Sequence, residues 1–398
     1  MLLQRLKNYY HLLQAVFAAT YYRFPGKKIR VISITGTDGK TTTAHLIHHI
    51  LKSSGKKASM ISSVYAEVAG KQYDTGFHVT TPDSWMLHKF LRLAVNAQEE
   101  YMVLEVTSHG LDQSRVWGID FEVGALTNVT HEHLDYHKTY ENYLRAKEKL
   151  LLRSKIAIIN KDDDSYGYLD SRLHVPAGPR GNDKKVITYG IKNTADVTPK
   201  KFPFTTPLPG EYNRYNCLAA VAVTKSLGLS DNEIKNALKT FAGVKGRFEK
   251  ISTKLDFEVI IDFAHTPNAL EKVLSTAKPL VEKGKLIHVF GSAGLRDYSK
   301  RPLMGEKSSE FADISIITEE DYRTDNLNTI IYEISNGCLR QGADEFKVED
   351  HVKALKSKHS VFFLVPNRQD AINFAISKLA QKGDVIVLTG KAHEKSLC

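Results

Sequence analysis

A glycine-rich loop near the start of the chain restricts the fold more than any other segment. Residues 35–43 read Thr-Gly-Thr-Asp-Gly-Lys-Thr-Thr-Thr, after an apolar β-branched run at 29–34 and before a helical pattern at 44–52. A strand, a glycine loop ending in Lys-Thr and a helix together form a nucleoside triphosphate site, because backbone N–H groups and the helix N-terminus face the phosphates. Ile34 stands where the full Walker spacing has its first glycine, so a plain turn is the alternative.

The same loop supplies charge and a metal ligand. Lys40 adds a positive charge for the β- and γ-phosphates, and the hydroxyl of Thr41 or Thr42 can ligate Mg²⁺. The residues expected to bind ATP here are Gly36, Thr37, Asp38, Gly39, Lys40, Thr41 and Thr42.

Composition narrows the class of protein. The chain has 398 residues, which predicts two or three domains of about 150 residues each. It has no apolar run of the ~20 residues that span a bilayer, and its three cysteines are scattered, so we expect a protein of the reducing cytoplasm. The net charge of +10 comes from dispersed Lys and Arg, which favours small phosphorylated or polycarboxylate substrates over nucleic acid.

Apolar strand patterns alternate with helical patterns along the whole chain. Strands are predicted at 30–35, 101–106, 123–128, 156–160, 186–189, 257–262, 285–290, 314–318, 361–365 and 384–389. The alternation predicts an α/β protein with parallel sheets covered by helices. We expect an N-terminal helix and linker at 1–28, a central P-loop ATPase-like domain at 29–245 and a smaller Rossmann-like C-terminal domain at 246–398.

Polar residues follow two predicted strands of the central domain. Glu105 ends one strand, where a carboxylate can hold Mg²⁺ or a water molecule, or only cap the next helix. Residues 127–137 follow another strand and contain His131, His133 and His137, which suit a nucleotide site beside Mg²⁺, a zinc site or simple packing. Lys147 belongs to a lysine-rich helical pattern, which by itself predicts a solvated helix face.

Taken together, these motifs and several others resemble the Mur ligase family. They occur in the family's order at residues 35–43, 80–82, 105–115 (EVTSHGLDQSR), 127–137 (TNVTHEHLDYH), 146–147, 210–216 (GEYNRYN), 246–249 (GRFE), 262–267 (DFAHTP), 290–304 (FGSAGLRDYSKRPLM) and 390–394 (GKAHE). The strings at 105–115 and 296–304 are similar to the members that add a diamino acid to UDP-N-acetylmuramoyl-L-alanyl-D-glutamate. The resemblance covers residues 29–394.

The resemblance implies an ATP-dependent amide ligase of peptidoglycan precursor synthesis. In that reaction ATP phosphorylates the D-glutamyl side-chain carboxylate, and the amine of the diamino acid, here expected to be meso-diaminopimelate, attacks the acyl phosphate. Two Mg²⁺ ions neutralise the phosphate charge. The resemblance implies catalytic roles for Lys40, Glu105, His133 and Lys147, with Thr41, Glu105, His133 and a carbamylated Lys147 as metal ligands.

The resemblance also assigns three groups of binding residues. Four fall at nucleotide positions: Asn216, Arg247, Asp262 and His265. Five fall at positions for the muramoyl acceptor: Thr80, Thr81, Thr107, Gln113 and Arg115. Five fall at positions for the incoming amino acid: Arg296, Asp321, Arg323, Gly390 and Glu394. The Arg323 guanidinium can pair with the distal carboxylate of meso-diaminopimelate, which lysine lacks.

The sequence departs from the family pattern at several points. About 28 residues precede the first strand, fewer than the family's UDP-binding N-terminal domain needs, so we expect uridine to be bound otherwise or a partner protein to take that domain's place. The family's Asp-Asn-Pro-Arg string appears as Glu320-Asp321-Tyr322-Arg323, and Val79 and Asp38 stand where Asn is usual. The chain ends soon after its last motif, where further elements are expected.

These departures leave two other functions open. One is a ligase of the same chemistry with a non-uridine polycarboxylate or peptide acceptor. The other is a non-catalytic nucleotide-binding partner protein.

Overall fold

The computed structural model describes residues 2–75, 80–130, 132, 134–173, 184–295 and 297–392. Its contacts divide the chain into two compact units, Met1–Ala242 and Gly243–Cys398. Each unit has its own sheet with helices packed on it, which confirms the predicted α/β class.

The strands of the first unit form one sheet. They are β1 (Arg30–Thr35), β2 (Ala58–Ile61), β3 (Ala66–Val68), β4 (Lys71–Tyr73), β5 (Tyr101–Glu105), β6 (Phe121–Leu126), β7 (Ser154–Asn160) and β8 (Lys185–Tyr189). In the described part of this unit their order is β4-β3-β2-β5-β1-β6-β7-β8, parallel except at the β2–β3 and β3–β4 pairs. The short strands β2, β3 and β4 are absent from the sequence-based assignment.

Strand β1 lies at the centre of this sheet and carries the phosphate loop at its carboxyl end. Val31, Ile32 and Ile34 are fully buried, as expected for a β-branched strand covered on both faces. Ile34 pairs with Glu105 on β5, and Thr35 pairs with Leu126 on β6. This register brings the carboxyl ends of β1, β5 and β6 close together.

The helices of the first unit lie before, between and after these strands. They are α1 (Leu2–Tyr21), α2 (Lys40–Ser53), α3 (Ser84–Asn96), α4 (Ser108–Asp112), α5 (Leu134–His137), α6 (Tyr140–Arg153), α7 (Tyr166–Leu173), α8 (Glu211–Ser226) and α9 (Asp231–Thr240). Helix α1 packs on α3, α2 packs on α8 and α9, and α4 packs on α6. Side chains of Asp83, Thr107 and Thr139 cap the N-termini of α3, α4 and α6. Residues 193–209 form a loop, with one bridge between Tyr189 and Val197.

The second unit repeats the α/β arrangement. Its strands are β9 (Glu249–Ile251), β10 (Glu258–Asp262), β11 (Leu286–Phe290), β12 (Ile314–Ile317), β13 (Asp344–Glu345), β14 (Val361–Leu364) and β15 (Val385–Thr389). Over its described residues their order is β13-β14-β12-β11-β15-β10-β9, and only the β9–β10 pair there is antiparallel. Alternate residues of β11 enter two apolar clusters, Leu286 and Phe290 in one and Ile287 and Val289 in the other, so both faces of the sheet are covered.

The helices of the second unit connect these strands. They are α10 (Pro267–Ala277), α11 (Lys300–Phe311), α12 (Leu327–Arg340), α13 (His351–Ala354) and α14 (Arg368–Phe374). The sequence pattern predicts one regular helix at 368–381, but the α-helix ends at Phe374 and continues as a wider π-turn, Ala375–Leu379. Apolar periodicity alone does not distinguish an α-helical turn from a π-helical turn.

Candidate active site

The phosphate loop turns between β1 and α2, against the carboxyl end of β6. A Cβ atom on Gly36 would lie 1.8 Å from Thr127 Oγ1. Gly39 has φ +81°, and a Cβ atom there would lie 2.2 Å from Asn216 Oδ1. Only glycine fits at either position. Asn216, predicted to bind nucleotide, therefore reaches the loop from α8.

Residues that follow β6 hold the loop in shape. The Thr37 N–H donates to the Asn128 carbonyl oxygen (2.8 Å), and the Asp38 N–H donates to Asn128 Oδ1 (2.9 Å). The Thr127 hydroxyl and the Asn128 side-chain amide both donate to the Asp38 carbonyl oxygen, at 2.6 and 3.1 Å. These bonds fix the loop backbone and use the N–H groups of Thr37 and Asp38.

Lys40 begins α2 at the end of the loop. Its Nζ donates to the Thr37 carbonyl oxygen at 2.7 Å. The ammonium group therefore lies over the loop backbone, where a phosphate-loop lysine meets the terminal phosphates. Thr42, the next candidate, is buried in the first turn of the same helix.

A cluster of oxygen atoms lies beside the loop. Thr41 Oγ1 donates to Glu105 Oε1 at 3.0 Å, and Ser63 Oγ donates to the same carboxylate oxygen at 2.9 Å. The Ser63 N–H donates to Glu105 Oε2 at 2.9 Å. Glu105 is 1% exposed, so these contacts hold an otherwise costly buried carboxylate.

Lys147 approaches the loop from α6. Its Nζ donates to the Gly36 carbonyl oxygen at 2.6 Å and lies 4.3 Å from the centre of the Tyr143 ring. The side chain is 1% exposed, so the solvated helix face predicted from the lysine-rich pattern is wrong. Burial lowers the pKa of Lys147 well below its ordinary value, and the nearby charge of Lys40 lowers it further.

His137 packs beside these residues. Its Nε2 lies 3.0 Å from Ser108 Oγ, and its ring contacts the ring of Tyr143. Burial, with a smaller effect from His109, lowers the pKa of His137 to about 4. Within the described residues, no group of three or more His, Cys, Asp or Glu side chains could hold a metal ion.

Four of the predicted acceptor residues form one hydrogen-bonded cluster. The Thr107 N–H donates to Thr81 Oγ1 at 2.9 Å, and the two hydroxyls lie 3.2 Å apart. Arg115 donates from Nη1 to the Thr81 carbonyl oxygen (2.8 Å) and from Nε to Gln113 Oε1 (2.9 Å). Thr80 is half-buried next to this cluster in sequence.

Three predicted nucleotide residues lie together in the second unit. Asp262 accepts from the N–H groups of Phe248 and Ala264, both at 2.7 Å. The Arg247 guanidinium lies 4.6 Å from the centre of the Phe263 ring. The His265 ring also contacts the Phe263 ring. The aromatic ring therefore orients both basic side chains.

The described residues predicted to bind the amino acid follow β12 and β15. Arg323 Nε lies 3.4 Å from Asp321 Oδ2, and the Arg323 backbone is left-handed, with φ +53°. A Cβ atom on Gly390 would lie 3.0 Å from Glu320 Oε2, so these two segments are adjacent. His131, His133, Arg296, Glu394 and Val79 lie outside the described residues.

This chain is similar to known proteins over most of its length. A model of the Mur ligase middle domain matches residues 34–224, and one of the Mur ligase glutamate ligase domain matches residues 246–392. The UDP-N-acetylmuramoyl-L-alanyl-D-glutamate–2,6-diaminopimelate ligase 1 of Clostridium acetobutylicum is 40% identical over 96% of this chain and 76% of its own length. The UDP-N-acetylmuramoyl-L-alanyl-D-glutamate–2,6-diaminopimelate ligase of Syntrophomonas wolfei is 37% identical over 96% of this chain and 76% of its own length.

This chain belongs to the Mur ligase family.

Solved structures of Mur ligases and their relatives share its fold. One, a UDP-N-acetylmuramoyl-L-alanyl-D-glutamate–2,6-diaminopimelate ligase, is 29% identical with a TM-score of 0.59, over 93% of this chain and 74% of that one. Folylpolyglutamate synthase of Mycobacterium tuberculosis has a TM-score of 0.71 over 96% of this chain and 92% of its own. The two are 16% identical, so this likeness is one of fold alone. Among the described residues, no helix is long and apolar enough to cross a membrane.

Mur ligases are ATP-dependent and use Mg²⁺, and the oxygen cluster beside the loop suits that ion. Thr41 Oγ1 and Glu105 Oε1 are 3.0 Å apart. Hydroxyl and carboxylate oxygens are ligands that this ion prefers. The chemistry of these two oxygen donors would therefore suit Mg²⁺.

Three residues of this Mur ligase site were missed by sequence reasoning. Ser63 follows β2, a strand too short to be recognised, and bonds Glu105 through both backbone and hydroxyl. Tyr143 lies under Lys147 and its OH is 3.1 Å from Thr37 Oγ1. Asn128 lies in the 127–137 motif and comes soon after the end of β6. This position is the signal that could have assigned it to the phosphate loop.

Proposed function

We propose that this chain is an ATP-dependent ligase that joins 2,6-diaminopimelate to UDP-N-acetylmuramoyl-L-alanyl-D-glutamate, a step of peptidoglycan precursor synthesis. The observation that carries the proposal is the convergence of Lys40, Thr41, Glu105 and Lys147 on one phosphate loop. The relatives with this name, at 34–40% identity, support the choice of substrates.

The reaction takes place in two bond-forming steps. An oxygen of the D-glutamyl side-chain carboxylate attacks the γ-phosphorus of ATP, which releases ADP and leaves an acyl phosphate. A neutral amine of the diamino acid then attacks the acyl carbon, and inorganic phosphate leaves as the amide forms and the nitrogen loses a proton. The loop N–H groups and Lys40 bind the phosphates and favour the charge that develops on them.

Mg²⁺ would be held by Thr41 and Glu105, with His133 and a carbamylated Lys147 as the further ligands expected from the sequence. When bound, the ion supplies neutralising charge to the phosphate oxygens. Thr41 at the start of α2 and Glu105 at the end of β5 are fixed by their own elements, so they hold these oxygens in place before reactants arrive.

A carbamate on Lys147 suits the position of this side chain. The amine would add to the carbon of CO₂ and lose a proton, which converts a cation into an anionic oxygen donor. Lys147 is almost completely buried and shares its surroundings with the Lys40 charge, and both disfavour a second ammonium group there.

Arg323 is proposed to select the diamino acid. Its guanidinium can form paired hydrogen bonds with the distal carboxylate of 2,6-diaminopimelate, and Asp321 holds one edge of it at 3.4 Å. The roles of Arg296 and Glu394 at the same amino acid, the partner protein and the cytoplasmic location stay predictions from the sequence.

A two-substrate assay tests the function. ADP release from ATP and Mg²⁺ should require both UDP-N-acetylmuramoyl-L-alanyl-D-glutamate and meso-diaminopimelate, and mass spectrometry should find their amide. Turnover only with a uridine-free acceptor would instead select the alternative ligase function, and no turnover with any acceptor would reject a ligase.

A further inference from the structure

A buried charged side chain, Arg301, lies in the first turn of α11 and is 1% exposed. It belongs to the motif at 290–304 but not to the residues predicted to bind a substrate. Its Nη1 donates to Glu333 Oε2 on α12 at 2.6 Å, and its Nη2 donates to Asp325 Oδ2 at 2.8 Å. The two carboxylates compensate the buried charge, and one of them, Asp325, lies outside the helices, in the loop that follows β12.

Asp325 connects the loops that follow two paired strands, β11 and β12. The carboxylate oxygen that binds Arg301 also accepts the N–H of Leu295, in the loop after β11, at 3.0 Å. The Asp325 N–H donates to the Tyr322 carbonyl oxygen at 2.9 Å and closes a turn. The bond from Leu295, followed by the Arg301 guanidinium, lowers the pKa of Asp325, so this carboxylate is charged at neutral pH.

Each of the two loops contains a residue in a strained conformation. Leu295 has φ +51° and Arg323 has φ +53°, the left-handed region that costs a non-glycine residue free energy. Such residues persist where the surrounding contacts determine the backbone, and they are concentrated at functional sites. The loops also touch directly, because the Gly294 N–H donates to the Asp321 carbonyl oxygen at 2.8 Å and a Cβ atom on Gly294 would lie 2.0 Å from the Tyr322 carbonyl oxygen.

The direction of the Arg323 side chain depends on this turn. Its contact with Asp321, at 3.4 Å, orients one edge of the guanidinium, and the backbone of the turn decides where the side chain begins. Paired hydrogen bonds to a carboxylate require a fixed guanidinium plane. A displacement of about 1 Å can cost roughly 10²-fold in rate, so a loosened turn would weaken recognition without removal of any binding group.

We propose that Arg301 and Asp325 are positioning residues for the incoming amino acid, because they hold the left-handed turn from which Arg323 reaches the distal carboxylate of 2,6-diaminopimelate. The inference rests on the proposed function, from which it takes this substrate and the role of Arg323. Arg301 and Asp325 act through the turn, and substrate contact belongs to Arg323.

Single substitutions should separate positioning from chemistry. Asp325→Ala and Arg301→Met should each raise the KM for meso-diaminopimelate about tenfold, with kcat and the KM values for ATP and acceptor within about twofold of wild type. Arg301→Lys should recover part of the loss, because an ammonium group can still pair with Asp325. The control is Lys307→Met on the same helix, since Lys307 pairs with Glu271 and Glu310 and should leave every KM unchanged.

A double-mutant cycle tests whether Asp325 acts through Arg323. In an Arg323→Ala protein, the further change Asp325→Ala should lower kcat/KM for meso-diaminopimelate by less than about twofold, because the group that the turn positions is already absent. The kcat/KM for lysine, which has no distal carboxylate, should fall less than that for meso-diaminopimelate in the single variant Asp325→Ala. Losses that add in the cycle, or equal losses with both amino acids, would indicate a general structural role and overturn the proposal.

Direct binding distinguishes failure of this inference from failure of the proposed function. Calorimetry measures meso-diaminopimelate binding in the presence of the acceptor and a non-hydrolysable ATP analogue. Wild-type affinity in both Asp325→Ala and Arg301→Met would overturn the positioning role while ligation by the wild-type protein stays intact. Weaker binding by both variants, with no ligation by the wild-type protein, would overturn the proposed function and leave the positioning role. No binding of meso-diaminopimelate by the wild-type protein would overturn both.

Discussion

The Lys147 ammonium nitrogen lies 2.6 Å from the carbonyl oxygen of Gly36, and the lysine is almost completely buried. This contact joins the middle of α6 to the first glycine of the phosphate loop. It places the amine that is proposed to carry a carbamate next to the loop that is proposed to bind phosphate.

Replacement of Lys147 should remove ligase activity in a way that small carboxylates partly restore. Lys147→Ala should lower kcat by roughly 10²-fold or more, the usual effect of losing a charged group that acts on the transition state. Added acetate should recover part of the rate, because it can take the position of the carbamate oxygens. The control is Lys149→Ala on the same helix, since Lys149 is exposed and pairs with Asp112. Absence of rescue in a folded Lys147→Ala protein would count against the carbamate.

Glu105 should control the requirement for Mg²⁺. Glu105→Gln keeps the shape of the side chain but removes the charge beside Thr41, so the Mg²⁺ concentration for half-maximal activity should rise roughly tenfold or more. A titration of ADP release against Mg²⁺ measures this. Glu100→Gln, at an exposed position just before β5, should leave the titration unchanged. An unchanged titration for Glu105→Gln would rule out Glu105 as a ligand.

Gly36 should tolerate no side chain. A Cβ atom there would lie 1.8 Å from Thr127 Oγ1, so Gly36→Ala must displace the loop or β6 and should cost about 2 kcal/mol or more. Gly55 also has a positive φ, +73°, but a Cβ atom on it would meet nothing within 4 Å, so Gly55→Ala should cost only about 1 kcal/mol. Thermal unfolding of the two variants compares these effects. An equal fall in Tm would show that the close contact does not set the loop.

Arg323 should distinguish diaminopimelate from lysine. Arg323→Ala should lower kcat/KM for meso-diaminopimelate at least tenfold more than kcat/KM for lysine, because only the first substrate has a distal carboxylate to lose its partner. Rates with both amino acids, at saturating ATP and acceptor, give the ratio. Equal losses would reject Arg323 as the selector.

The sequence predicted the parts of this protein that depend on local pattern. Strand β1 has the predicted bounds, because a β-branched run is a sufficient signal there. Lys147 shows where pattern fails, since a lysine-rich helix predicts a solvated face and only the packing of α6 on the loop buries this side chain. No sequence signal identifies Ser63 as a partner of Glu105. The contact depends on the pairing of β2 with β5, which the sequence pattern does not show.

The fate of the acceptor's oxygen atoms tests the central claim most directly. UDP-N-acetylmuramoyl-L-alanyl-D-glutamate labelled with ¹⁸O in the D-glutamyl side-chain carboxylate should be converted with ATP, Mg²⁺ and meso-diaminopimelate, and the released phosphate should be analysed by mass spectrometry. An acyl phosphate requires one labelled oxygen in each phosphate, because the carboxylate oxygen that attacks phosphorus leaves with it. Amide formation with unlabelled phosphate would contradict the account.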